Sequence, residues 1–217
     1  MERNFSRGLD IFNPKLFEDK KVGIIWAWGI GSNSAYCLSK MWIKVKVCDF
    51  DAVDTVNTSS QFYSGKQLGE AKVEALRNNI SNMADEMIEI VNDKYKPEYF
   101  EDCDILVLAL DSLAVRKEVI ETCKDTQFIL DTRMVKKISI INTLYGLQRD
   151  ERMKRERDEH ADEQAWEVRC TEKAVCFNAL WMASLVGSLV ADFLKWKVLK
   201  YQYMLDFNDY SLFSFSN

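Results

Sequence analysis

Residues 21–33, KVGIIWAWGIGSN, decide how the chain is read. A near-continuous apolar run, residues 21–27, is the pattern of a strand buried on both faces of a parallel sheet. It ends in a tight turn with Gly29 and Gly31, and a helix pattern follows over 32–41 with Ala35, Leu38 and Met41 on one side. A glycine turn between such a strand and a helix is where backbone amides meet a phosphate. That chemistry wants the smallest side chain, yet Trp26 and Trp28 stand in the turn. The stretch therefore reads as a nucleotide site with the wrong residues in it.

Working outward, strand and helix patterns keep alternating. IKVKVCDFD, residues 43–51, is a second strand ending in Asp49 and Asp51, and a helix follows from near Gln67. EMIEIVND, residues 86–93, is a third strand, and CDILVLALD, residues 103–111, a fourth that ends in Asp111. A helix over 112–125, a fifth strand over 126–133 and a sixth over 136–148 come next; alternation in the sixth predicts an antiparallel partner. A long helix over about 171–197 and one or two edge strands over 200–215 complete the chain. This order predicts an α/β, doubly wound, mostly parallel Rossmann-like sheet with antiparallel edge strands toward the C-terminus, in one domain over 1–217. Ligands on such sheets bind at the carboxyl ends of strands near the switch point. The residues predicted there are the 26–31 turn, Asp49, Asp51 and Asp111.

Composition narrows the function classes. The 217 residues are 47% hydrophobic and 29% charged, as in an ordinary globular protein. A net charge of −5 provides no basic stripe for nucleic acid, so none is expected as a partner. No signal peptide is read at the N-terminus. The longest apolar stretch is interrupted by Asn178, Ser184, Ser188 and Asp192, which predicts a buried helix and no membrane partner. Six cysteines show no C-x-x-C pair, so no zinc is expected, and a reduced, cytoplasmic setting fits. Residues 149–164, RDERMKRERDEHADEQ, read as a charged helix or loop, or as a crossover lid. The only histidine, His160, lies in that run with nothing to orient it.

Glycines after a strand and acids some 20 residues later also suit a dinucleotide dehydrogenase. The next stretch separates the two. CDFDAVDTVNTSSQFYSGKQLGEAKVEAL, residues 48–76, resembles the signature of the ubiquitin-activating-like adenylyltransferases, the ThiF/MoeB/HesA family, through Asp49, Asp51, Val53, Asn57, Gln61, Gly69 and Lys72. NFSRGLDIF resembles the family's amino-terminal segment and puts Arg7 at its arginine finger. LVLALDSLAVRKEV resembles its D-x-x-x-x-R strand and helix, through Asp111 and Arg116. Residues 168–197 resemble the segment after the crossover loop, with Cys170 at the usual cysteine. Ser60 departs from the arginine that many members carry.

The resemblance implies an ATP-dependent adenylyltransferase that converts the carboxy-terminus of a ubiquitin-like or sulfur-carrier protein into an acyl-adenylate. The alternatives are a peptide, small-molecule or tRNA-linked carboxylate, or a nucleotide-dead scaffold. It implies a homodimer, with Arg7 offered by the other protomer, and ATP with Mg²⁺ as cofactors. Asp49 would bind the ribose and Lys72 the phosphates, while Asn57 and Gln61 orient phosphate or loop. Asp111 would hold Mg²⁺, and Cys170 would carry a thioester or persulfide. Trp26, Trp28, Gly29, Gly31 and Asp51 complete the nucleotide site.

Aligned on that family, positions 26, 28 and 42 are expected to be glycine, and position 196 is often glycine. The chain has 8 glycines and 6 tryptophans, where about 15 glycines are usual for this length. The expectation is a gene whose UGA codons mean glycine but were translated as tryptophan. The rival is a pseudoenzyme that kept the fold.

Overall fold

The computed structural model describes residues 8–145 and 175–216. The first half alternates strand and helix: β1 (Lys21–Ile25), α1 (Gly29–Lys40), β2 (Lys44–Cys48), α2 (Lys72–Ala84), β3 (Glu89–Val91), β4 (Ile105–Leu108) and α3 (Leu113–Thr122). Then come β5 (Phe128–Val135), β6 (Ile138–Leu144), α4 (Cys176–Leu194), β7 (Gln202–Asp206) and β8 (Ser211–Phe215). They form one eight-stranded sheet in the order β3-β2-β1-β4-β5-β6-β7-β8. The pairs from β3 to β5 are parallel, and those from β5 to β8 are antiparallel. The chain leaves β1 toward β2 and β3, then returns to place β4 on the other side of β1. That reversal is the switch point, and its cleft opens at the carboxyl ends of β1 and β4.

Strand alternation sends Val22 and Ile24 into a core shared with α1, α2 and α4. Ile25, Leu106 and Leu108 enter a second core, covered by α3 through Val119 and Ile120. Both faces of the parallel half are therefore dry, as its apolar strands predict. Helix α4 is long and apolar enough to cross a membrane, with mean hydropathy 1.5, but here it packs into the first core through Met182, Val186, Leu189 and Val190. A Cβ at Gly187 would lie 3.0 Å from Cys37 Sγ, so this glycine lets α4 approach α1 closely.

Some boundaries move from the sequence expectation. Helix α1 begins at Gly29 instead of Ser32, which places the glycine turn in its first turn. Helix α2 begins at Lys72, not near Gln67. Gln67 ends a separate short 3₁₀ turn (Gly65–Gln67), and Gly69, at φ 84°, breaks the path between them. The charged segment 149–164 with His160 lies outside the described residues.

Candidate functional site

The site starts where β1 ends. The Trp26 N–H donates to the Cys48 carbonyl at 2.8 Å, and the backbone then turns through φ 73°. The turn is so tight that a Cβ on Gly31 would lie 1.9 Å from the Trp26 carbonyl oxygen. Side chains hold it from beneath. The Ala27 N–H donates to Asp49 Oδ2 at 2.7 Å, and the Tyr63 hydroxyl donates to the Ala27 carbonyl at 2.8 Å. Ser32 Oγ donates to the Trp28 carbonyl (2.7 Å) and accepts from the Phe62 N–H (3.0 Å). Asn33 Nδ2 donates to the carbonyls of Gly29 (2.7 Å) and Ser60 (3.0 Å). The glycine turn is thereby stitched to the 57–63 segment.

In that segment Asn57 is a cap: its Oδ1 accepts from the Asp54 N–H at 2.8 Å. The Gln61 N–H donates to the Asn57 carbonyl at 2.9 Å. Gln61 Oε1 is buried with no hydrogen-bond partner among the described residues.

The two acids after β2 have different surroundings. Asp49 is only 1% exposed, and its oxygens accept from the N–H groups of Ala27 (2.7 Å) and Asp51 (2.8 Å). Burial raises its carboxyl pKa, opposed by those N–H groups and by the charge of Lys72. Asp49, the residue expected at the ribose, bridges the ends of β1 and β2 through these two bonds. Asp51 is the open acid, with a side chain 31% exposed. Its Oδ2 accepts from Lys72 Nζ at 3.1 Å and from Trp28 Nε1 at 3.0 Å. Lys72 itself, the first residue of α2, is buried.

Asp111 follows β4 across the switch point. Burial raises its pKa, and the negative charge of Asp51 pushes the same way, against hydrogen bonds from backbone N–H groups and the charge of Arg116. Asp111 is close enough to feel the charge of Asp51, which is itself paired with Lys72, so the three stand on the same, carboxyl-end side of the sheet. The Arg116 guanidinium donates to Asp131 Oδ1 and to the Leu110 carbonyl. Asp131, in β5 and wholly buried, also accepts from Arg133 Nη2 at 3.0 Å and Asn142 Nδ2 at 3.0 Å. The network ties the loop carrying Asp111 to β5 and β6.

Two indoles lie beside Asp51 and Lys72. Trp26 and Trp28 stack with ring centroids 5.6 Å apart, and Lys72 Nζ sits 4.9 Å from the centre of the Trp28 ring. The carboxylates and the lysine fit a magnesium nucleotide, which needs acids for its cation and ribose hydroxyls and a cation for its phosphates. Trp28 does not fit, because its ring and Nε1 already engage Lys72 and Asp51.

Arg7 and Cys170 lie outside the described residues. Of the remaining sequence-predicted set, the turn, Asp49, Asp51, Lys72 and Asp111 converge, while Asn57 and Gln61 stand behind the turn. Asp131, Ser32 and Asn33 were not anticipated. Among the described residues, the thiols of Cys37, Cys48, Cys103 and Cys176 are free. Burial pushes the Cys48 and Cys103 thiols up to about 12, away from nucleophilic duty.

A mostly parallel sheet with antiparallel C-terminal strands, a glycine turn after β1 and acids after β2 and β4 define an E1-like Rossmann domain, the adenylation fold. The chain belongs to the ThiF family, whose model matches residues 13–145. Among solved structures it is similar to E. coli MccB with AMPCPP and MccA, at 16% identity and TM-score 0.73, over 93% of this chain and 65% of that one. PaaA is similar at 15% identity and TM-score 0.70, with the same coverage. The microcin C7 biosynthetic enzyme MccB bound to N-formylated MccA matches at 17% identity and TM-score 0.72, over 93% of this chain and 66% of that one. The chain thus spans about two thirds of the length of these relatives. No curated protein matches it significantly.

Proposed function

We propose that the protein is an ATP-dependent adenylyltransferase acting on a carboxylate at the end of a ubiquitin-like or sulfur-carrier protein. The observation that carries this reading is the meeting of Asp51, Lys72 and Asp111 beside a glycine turn at the switch point. In the reaction a substrate carboxylate oxygen attacks the α-phosphorus of ATP. The bond between the α-phosphorus and the bridging oxygen to the β-phosphate breaks, and pyrophosphate leaves. Two anions must meet, so the site's work is charge compensation and alignment.

Lys72 and the amides at the start of α1 hold phosphate oxygens, and Asp49, with Asp51 beside it, takes the ribose hydroxyls while also bracing the turn. Asp111 holds Mg²⁺, which when bound shields phosphate charge. Arg7, from the partner protomer of a homodimer, and Cys170, as acyl or sulfur acceptor, extend the same proposal. So does a single domain over 1–217 crossed by a charged loop at about 149–164, working in the cytoplasm, where its thiols stay reduced.

Likeness to MccB, solved with MccA, favours a second reading, in which the carboxylate ends a free peptide. Pyrophosphate exchange into ATP separates the two. Exchange that depends on a carrier protein ending in Gly-Gly supports the first; exchange with short peptides alone supports the second. Exchange with neither, by a protein that binds Mg²⁺-ATP, removes both.

A further inference from the structure

Asp51, Lys72 and Asp111 have the chemistry for a magnesium nucleotide, but indoles stand beside them at positions 26 and 28, and the backbone shows what those positions are shaped for. Among the described residues, six that are not glycine have φ in the left-handed region: Trp26 (73°), Trp42 (59°), Asp85 (55°), Lys136 (54°), Trp196 (57°) and Tyr210 (62°). Tryptophan holds three of these six places, although it is one of the rarer described residues. A large side chain is a poor occupant of left-handed backbone, which is where glycine is used.

Two of the three places are the same motif. At the end of α1 the Trp42 N–H donates to the Ser39 carbonyl (3.0 Å) and the Ile43 N–H to Leu38 (3.1 Å). At the end of α4 the Trp196 N–H donates to Phe193 (2.9 Å) and the Lys197 N–H to Asp192 (3.0 Å). Both are Schellman caps, and in each the tryptophan occupies the left-handed position that glycine normally takes. Packing does not explain the choice at position 196, where the residue is 85% exposed. Trp26 is buried, but its Nε1 has no hydrogen-bond partner among the described residues. Trp28 has an ordinary φ of −83°, so the case there is spatial: its ring covers Lys72 and its Nε1 holds Asp51. Trp181 differs on every count. It lies inside α4, where glycine destabilises, and packs edge-on against Phe207 with centroids 6.3 Å apart.

We infer that positions 26, 28, 42 and 196 are glycine in the working protein, encoded by UGA codons that its organism reads as glycine, and that position 181 is a true tryptophan. The turn at 26–31 is then an open cradle for the phosphates of a nucleoside triphosphate. At 26 and 28 this rests on the adenylation reading; at 42 and 196 it stands apart from it.

The gene gives the first test. UGA is expected at codons 26, 28, 42 and 196 with UGG at 181; UGG at any of the four, or UGA at 181, overturns the inference. Melting of the full chain gives a second, independent of nucleotide. Trp42→Gly and Trp196→Gly each raise Tm by roughly 2–4 °C, the matching alanine variants gain less because a Cβ retains the left-handed penalty, and Trp181→Gly lowers Tm. Glycine variants at 42 and 196 that melt no higher than the tryptophan protein overturn the conformational argument. UGA codons in a glycine-form protein that binds no nucleotide would leave the residue assignment standing and remove the adenylation reading instead.

Discussion

Replacing Arg116 by methionine tests how the fold places its acidic loop. The Arg116 guanidinium serves two acceptors, Asp131 Oδ1 and the Leu110 carbonyl. Asp131 is wholly buried, and removing one partner of a buried ion pair destabilises by about 3–5 kcal/mol because the other charge stays in a dry site. Arg133 still reaches Asp131 at 3.0 Å, as does Asn142, so the low end applies. Losing the donor to Leu110 adds about 1 kcal/mol. The expected total of about 3–4 kcal/mol is a large part of the ~5–15 kcal/mol that holds a domain together. Urea denaturation followed by circular dichroism reads it as a midpoint lower by roughly 1–2 M. Arg116→Met combined with Asp131→Asn recovers part of the loss, since no uncompensated charge is then buried. A single variant shifted by less than about 1 kcal/mol, or a double variant no more stable than the single one, would refute the reasoning.

Further expectations follow from the same geometry. In the glycine-form protein, Lys72→Met removes a charged phosphate contact of about 1.5–3 kcal/mol and weakens ATP binding about 10- to 150-fold; the fold survives because the Asp51 left behind is part-exposed to water. A calorimetric Kd within threefold of the parent would remove Lys72 from the site. Asp111→Asn abolishes the dependence of ATP affinity on Mg²⁺ while leaving metal-free binding intact, a difference that titration with and without EDTA measures. It also alters the pH profile: the raised Asp111 carboxyl keeps its proton in the folded state after the unfolded chain has lost it, so stability falls as pH rises through that window, and the variant loses this fall. Asp102 acts in the opposite sense. Burial alone would raise its pKa, but hydrogen bonds from Lys21 and Lys46 hold it down to about 2. Its stabilisation is present above its ordinary value of 3.8 and drains as pH drops toward 2, and Asp102→Asn flattens that part of the melting profile.

How much was legible in the sequence depended on what each signal encodes. Apolar runs such as ILVL in β4 and the alternation of ISIINTL in β6 report burial directly, so strand type and direction emerged. Asp49 and Asp51 were visible as a pair at a strand end. Which of them is buried depends on the Ala27 N–H that reaches Asp49 from the turn after β1, and no local pattern records that. Asp131 looked like one polar residue in a strand; its charge is compensated by Arg116, 15 positions earlier. The start of α2 was misplaced because helix-forming residues continue back to Gln67, while the left-handed Gly69 and the cap formed by Ser64 and Gln67 divide them. The tryptophans in the turn were the reverse case. Composition and resemblance flagged them, and the backbone at 26, 42 and 196 supplied a physical reason.

The most direct measurement is a calorimetric titration of Mg²⁺-ATP into the full chain carrying Trp26→Gly and Trp28→Gly. Saturable binding of one nucleotide per protomer, weakened about 10- to 150-fold on adding Lys72→Met, is the expected result. A folded glycine-form protein that takes up no ATP would contradict a nucleotide site at the carboxyl ends of β1 and β4.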